Sequence, residues 1–242
     1  MKRHHLQLCA LCALFLTVTL LCSALFGVTS DLLSNATDAD AEAAESSPVI
    51  VLDAGHGGED GGATGTNGIL EKELNLRLTE DLAALLRLAG YTVVETRTED
   101  RLLYSEGTKK GHKKQSDLEN RLAVAAQYES CILISIHMNT FPDQRCRGTQ
   151  VWYSQNHPES RALAEAVQST VKKLLQPENN RKIKAATSSI YMLRHAKAPA
   201  ILVECGFLST PSDCERLCDT VYQRELTLSL LAAICEKVPL SS

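Results

Sequence analysis

The chain has 242 residues, of which 44% are hydrophobic and 22% charged. That balance excludes global disorder, collagen-like repeats and a coiled-coil rod, and the length suits one α/β domain with short appended segments. The net charge is −4; the first thirty positions hold Lys2 and Arg3 but no acid, so the remainder carries −6 and, with four Phe, six Tyr and one Trp, argues against a nucleic-acid partner.

The first predicted element is apolar. After MKRHH, residues 8–28 (LCALCALFLTVTLLCSALFGV) contain no charge. A helix of that length spans a bilayer. It is longer than the usual signal-peptide core of about 7–15 residues. Lys2 and Arg3 hold the N-terminus in the cytoplasm and send the rest of the chain outside. Residues 1–28 therefore read as a membrane anchor or signal segment. The anchor is preferred because Ala39-Asp40-Ala41, the small-x-small site, lies far from the apolar run. Cys22 follows Leu20-Leu21 without the small residue of a lipoprotein signal. Residues 29–48 are rich in Ser, Asp, Ala and Glu, the composition of a solvated linker. The folded domain is expected at 49–239.

Residues 49–53 (VIVLD) form a short β-branched run, hence a strand, followed by a Gly-rich loop over 55–68. Leu74, Leu78, Leu82, Leu85 and Leu86 repeat at helical spacing, predicting a helix over 71–88 that Gly90 ends. A second strand is expected at 91–96, then a polar loop over 98–116 carrying KKGHKK, then a helix at 117–128. Strands follow at 131–137 (CILISIH) and 148–153 (GTQVWY), and a helix at 159–175. A fifth strand is expected at 189–193 and a sixth at 200–204 (AILVE), with helices at 212–217 and 221–237. Alternating apolar strands and helices predict an α/β sheet covered on both faces. Its ligand site should lie outside the carboxyl ends of the parallel strands.

Six cysteines fall in the folded part: Cys131, Cys146, Cys205, Cys214, Cys218 and Cys235. An even number in an exported domain permits disulfides. Cys131 and Cys205, however, sit in apolar runs and read as small buried residues, so free structural thiols are expected.

Four residues with chemistry fall at strand ends or just after them: His56 in DAGHGG, Glu71 in EKELNL, His137 in SIHMN and Glu204 in VECGF. Two imidazoles and a carboxylate make a frequent catalytic zinc set with one open position. A second carboxylate can then move protons. Taken singly, each residue has an ordinary alternative: a satisfied strand-end histidine, or a first-turn acid favoured by the helix dipole. GHGGEDGG lacks both the Lys-Ser/Thr of a P-loop and the GxGxxG spacing of a dinucleotide site.

Taken together, DAGHGGEDGGA, GILEKELNL, SIHMN and ILVECGFLS resemble the zinc-dependent N-acetylmuramoyl-L-alanine amidases of the amidase-3 family. They occur in the family's order, with Thr96-Arg97 after the second strand and Arg121 in the next helix, over about residues 49–236. The resemblance implies one Zn2+ per chain held by His56, Glu71 and His137, with Glu204 as the catalytic carboxylate. It implies a twisted six-stranded, mostly parallel (mixed) sheet flanked by helices on both faces. Ala54 stands where the family usually has Pro. Only a short loop separates Asn139 from Gly148, where the family's division amidases carry an inhibitory helix. The segments CRGTQVWY and NNRKIKAATSSIYMLRHAKAPA, with the N-terminal anchor, are similar to spore-cortex members of the family. That similarity implies removal of stem peptides from muramic acid during sporulation, after which a deacetylase would complete muramic-δ-lactam.

The expected reaction is hydrolysis of the amide between the lactyl group of N-acetylmuramic acid and L-alanine. The expected partners are peptidoglycan glycan strands and stem peptides, the membrane through the N-terminal segment, and an activating protein. The expected location is extracytoplasmic, anchored or exported, at the forespore membranes facing the cortex. Arg97, Arg121 and Asn139 are candidates for substrate contact; structural salt bridges are the competing role for the two arginines. Lys109, Lys110, Lys113 and Lys114 form a basic loop, either solvated or facing anionic wall polymer. Two other classes stay open: a zinc peptidase acting on the stem peptide, and a non-catalytic cell-wall-binding protein.

Overall fold

A computed structural model describes residues 47–240. The anticipated anchor at 1–28 and nearly all of the linker lie outside the described residues. Among the described residues no helix is long and apolar enough to cross a membrane.

The elements in chain order are β1 (Val49–Ala54), α1 (Glu71–Leu88), β2 (Val93–Glu95), a 3-10 turn (Lys110–His112), α2 (Lys113–Ala125), β3 (Cys131–Asn139), β4 (Gln150–Tyr153), α3 (Pro158–Leu174), β5 (Lys184–Ala185), α4 (Tyr191–His195), β6 (Ala200–Phe207), α5 (Pro211–Cys218) and α6 (Thr220–Lys237). The six strands form one sheet in the order β2-β1-β3-β6-β4-β5. β2, β1, β3 and β6 are mutually parallel. β4 pairs antiparallel with β6 and parallel with β5, so the sheet is mixed.

Strand side chains alternate between two apolar layers, as a period of two requires. Ile50, Leu52, Ile134, Ile136, Ile201 and Val203 face one layer with α1, α3 and α6. Val51, Leu133, Ala200 and Leu202 face the other with α2 and α4. In α1, Leu74, Leu78, Leu82 and Leu86 are fully buried, which fixes the helix against the sheet. Glu71 then starts the helix at the carboxyl end of the parallel strands. Tyr91 donates from its hydroxyl to the Val238 carbonyl at 2.6 Å and ties the α1–β2 turn to the end of α6.

Two sequence expectations are corrected. The segment expected as a fifth strand at 189–193 coils into α4, where the Arg194 amide reaches the Ile190 carbonyl at 3.0 Å. Its buried Met192 and Leu193 are adjacent, and a single helical turn packs both where a strand would expose one. The fifth strand is instead the two-residue β5, an edge pairing with Trp152 and Tyr153. It is too short to carry an alternation. α2 begins at Lys113, inside the segment expected as a polar loop, because the 3-10 turn precedes it directly. Residues 140–149 contain no helix.

All six cysteines of the folded part are free, and Cys131, Cys205 and Cys214 are buried. Burial pushes the Cys205 thiol up, so it remains a protonated core group beside Glu204.

Candidate metal centre

The chain leaves β1 through Ala54, Gly55 and His56. His56 has φ of 63°, the one non-glycine at positive φ among the described residues. Such a conformation costs about 1–3 kcal/mol and persists only where surroundings hold it. Here two guanidinium groups and an amide hold the three carbonyls. Arg97 Nε and Arg121 Nη1 donate to the Ala54 carbonyl at 2.8 and 2.7 Å. Arg97 Nη2 and Asn75 Nδ2 donate to the Gly55 carbonyl at 3.0 and 3.1 Å. Arg121 Nη2 donates to the His56 carbonyl at 2.7 Å.

Beneath this loop lies a buried charge network. Asp53 accepts from Arg121 Nη1 at 2.8 Å, Thr96 Oγ1 at 2.7 Å and Ser135 Oγ at 2.6 Å. Arg121 Nε donates to Asp117 at 2.8 Å. Burial opposes ionisation of Asp53, but Arg121 and the Ser135 hydroxyl outweigh it and hold the carboxyl down to about 2. A depressed carboxyl stabilises the fold above its unfolded pKa near 4 and loses that contribution as pH falls through 2. The urea-unfolding free energy of the parent, compared with Asp53→Asn, should therefore show a gap shrinking by about 2 kcal/mol between pH 5 and pH 2. A gap that does not change with pH would remove Asp53 from the network.

His56, Glu71 and His137 meet at the carboxyl edge of the sheet, with one donor atom from each within 4.8 Å of the others. Glu71 Oε1 lies 3.3 Å from His56 Nε2 and 3.0 Å from His137 Nδ1. The same oxygen accepts from the Met138 amide at 3.0 Å and from Asn75 Nδ2 at 3.3 Å. Oε2 accepts from the Ala63 amide at 2.8 Å. Burial opposes the Glu71 charge, but His137 and His56 outweigh it and hold the carboxyl far below its usual range. His56 is raised: burial works against its charge, and Glu71 and then Asp60 overcome that. Two imidazoles and a buried carboxylate with converging donor atoms are a donor set that fits zinc.

Gly55 is required here by close approach. A Cβ on it would lie 2.2 Å from the His137 ring. Gly55→Ala should fold but displace that ring, an overpacking effect of about 1–3 kcal/mol. Zinc affinity should fall about tenfold or more. Isothermal titration of the metal-stripped protein measures this, and unchanged affinity would contradict the contact.

Glu204 stands opposite His137 in the β3–β6 register. Its Oε2 is buried and has no hydrogen-bond partner. Burial is the main cause raising its carboxyl to about 7; His137 pulls it back and Glu71 adds to the rise. A carboxyl near neutrality can accept a proton and return it.

All four residues expected from the sequence thus converge. Of the three substrate-contact candidates, Arg97 and Arg121 are each 1% exposed and direct their guanidinium groups at carbonyls of the β1 loop. Asn139 lies where the β3–β6 register shifts, and its carbonyl accepts from the Leu208 amide at 2.9 Å. Sequence reasoning missed Asp53 and Asn75. Asn75 had a visible signal, since it lies one helical turn after Glu71 on the same face.

The family model for N-acetylmuramoyl-L-alanine amidases matches residues 50–236, which is most of the chain. The chain belongs to the N-acetylmuramoyl-L-alanine amidase family. A germination-specific amidase of Bacillus subtilis is 34% identical over 190 residues, covering 78% of this chain and 79% of that protein. Among solved structures, the CwlD amidase of Clostridioides difficile, in complex with the GerS lipoprotein, is 33% identical with a TM-score of 0.74. That match covers 78% of this chain and 98% of CwlD. The amidase AmiC2 of Nostoc punctiforme is 29% identical with a TM-score of 0.66, covering 78% of this chain and 96% of that one. As a member of the family the protein is an amidase and a hydrolase of peptidoglycan, which answers the peptidase and wall-binding alternatives. The six-stranded mixed sheet is the fold of these amidases.

Proposed function

We propose that this amidase hydrolyses the lactyl–L-alanine amide of peptidoglycan with one zinc ion held by His56, Glu71 and His137, and that it acts in spore-cortex maturation. The observation that carries the reading is the convergence of those three donors beside Glu204, whose Oε2 is buried and unpartnered. The germination-specific relative and the CwlD structure support the cortex role.

When bound, zinc supplies Lewis acidity toward the scissile carbonyl and lowers the pKa of water. Glu204 takes a proton from the attacking water at its carboxylate. As the carbon–nitrogen bond breaks, it gives that proton to the leaving amine of L-alanine, and the lactyl group stays on muramic acid as a free carboxylic acid. Arg97, Arg121 and Asn75 act earlier, by fixing the loop that aims His56. Asn139 is a candidate substrate contact. The product suits the later deacetylation that closes muramic-δ-lactam. Residues 1–28 would anchor the enzyme, residues 29–48 would space it from the membrane, and residues 49–239 would work outside the cytoplasm. By analogy with CwlD, a lipoprotein is a candidate partner.

Mass spectrometry of products tests this. The full chain with zinc and purified cortex peptidoglycan should release intact stem peptides and leave free lactyl groups on muramic acid. Cleavage within the stem peptide, or release that persists in metal-stripped protein, would overturn the proposal.

A further inference from the structure

We propose that Asp60 is a positioning residue for His56, and that the basic segment around Lys113 and Lys114 latches Asp60 in place. The inference rests on the metal reading above and extends it to residues outside the ligand set.

The two ring nitrogens of His56 face different groups. Nε2 faces Glu71, while Nδ1 lies 2.9 Å from Asp60 Oδ2. A carboxylate on the far nitrogen of a ligand imidazole fixes its tautomer and ring angle. In this protein the Nδ1 contact is close but off the line of a well-aligned hydrogen bond. The angle therefore depends on what holds Asp60.

Asp60 is held from both sides. Its backbone pairs with Gly57 in a tight turn, with bonds of 2.9 and 3.0 Å, and its Oδ1 accepts from the Gly62 amide at 3.2 Å. From across the loop, Lys114 Nζ donates to Oδ2 at 2.8 Å. Lys113 Nζ donates to the adjacent Glu59 at 2.9 Å and lies 4.5 Å above the Tyr104 ring. Asp100, farther back along the same segment, accepts from the Gly58 amide and from Lys72 Nζ, both at 2.7 Å. Lys72 Nζ also donates to the Gly58 carbonyl. Residues 57–60 are thus gripped at several points by a segment more than forty residues away in sequence. This gives the KKGHKK segment a task other than meeting wall polymer.

The test uses the full chain in detergent, stripped of metal and titrated with zinc against a chromogenic chelator, with cobalt absorption as a second readout. Asp60→Ala should weaken zinc about 10–100-fold and change the cobalt bands. Asp60→Asn keeps an acceptor oxygen facing Nδ1, so it should recover most of the affinity and the parent bands. Lys114→Ala should weaken zinc by about two- to fivefold, and less at high salt. Lys172→Ala, on α3, should change nothing. Parent affinity in Asp60→Ala would overturn the proposal. Equal losses in Asp60→Ala and Asp60→Asn would also overturn it, by showing a turn defect instead of ring positioning. A parent chain that binds no zinc would overturn the metal reading itself, a different result from a parent that binds and an Asp60 variant that matches it.

Discussion

Glu204→Gln is expected to lower the amidase rate about a thousandfold while the protein still binds one zinc per chain. Positioned general acid–base groups contribute roughly 10²–10⁴ in rate. Glu204 sits in register with His137 and outside the donor cluster of His56, Glu71 and His137. Burial raises its carboxyl to about 7, so near neutral pH it exchanges a proton readily. Glutamine keeps the size and removes the exchange. Product release on purified peptidoglycan gives the rate, and metal analysis gives the stoichiometry. A variant with parent activity would remove Glu204 from the reaction. A variant without zinc would instead make it a ligand.

Glu71→Ala is expected to abolish stoichiometric zinc binding and also to destabilise the metal-free protein. The two effects have separate causes. Zinc is lost because the anionic donor between the two imidazoles is gone. The fold weakens because Glu71 is 3% exposed and accepts from the Met138 and Ala63 amides. Removing the carboxylate leaves the buried Met138 amide unpaired, at about 1–3 kcal/mol, and the part-buried Ala63 amide loses its acceptor as well. Urea unfolding with chelator present measures the second effect alone. Unchanged stability there would mean that water reaches those amides freely, and retained zinc would contradict the ligand role.

The strands at β1, β3, β4 and β6 were legible because each is a run of apolar, often β-branched residues. α1 was legible from its length and leucine spacing. β5 was not, because Lys184 and Ala185 are one edge pair with no periodicity to read. α4 was misread as a strand because five residues, Tyr191 to His195, are too few to separate a period of 3.6 from one of 2. The four candidate residues were legible as ordered motifs, three of them at or just after strand ends and Glu71 at the start of α1. The inward direction of Arg97 and Arg121 was not. An arginine in a sequence looks the same whether it meets substrate or a buried carbonyl, and only packing distinguishes the two.

By itself, the sequence determined which segments bury both faces, where the carboxyl ends of the strands fall, and which histidines and glutamates stand there. Those properties are local: they follow from alternation, helical spacing and turn residues within a few positions. The tertiary structure alone decided the strand order, the reversal of β4 against β6, and the partners of each charged group. Asp53 finds Arg121, Gly58 finds Asp100 and Asp60 finds Lys114 across long stretches of chain. Such pairings depend on how layers stack in space, and no local pattern encodes them. They nevertheless set the strained turn at His56, and through it the aim of the imidazole on Glu71.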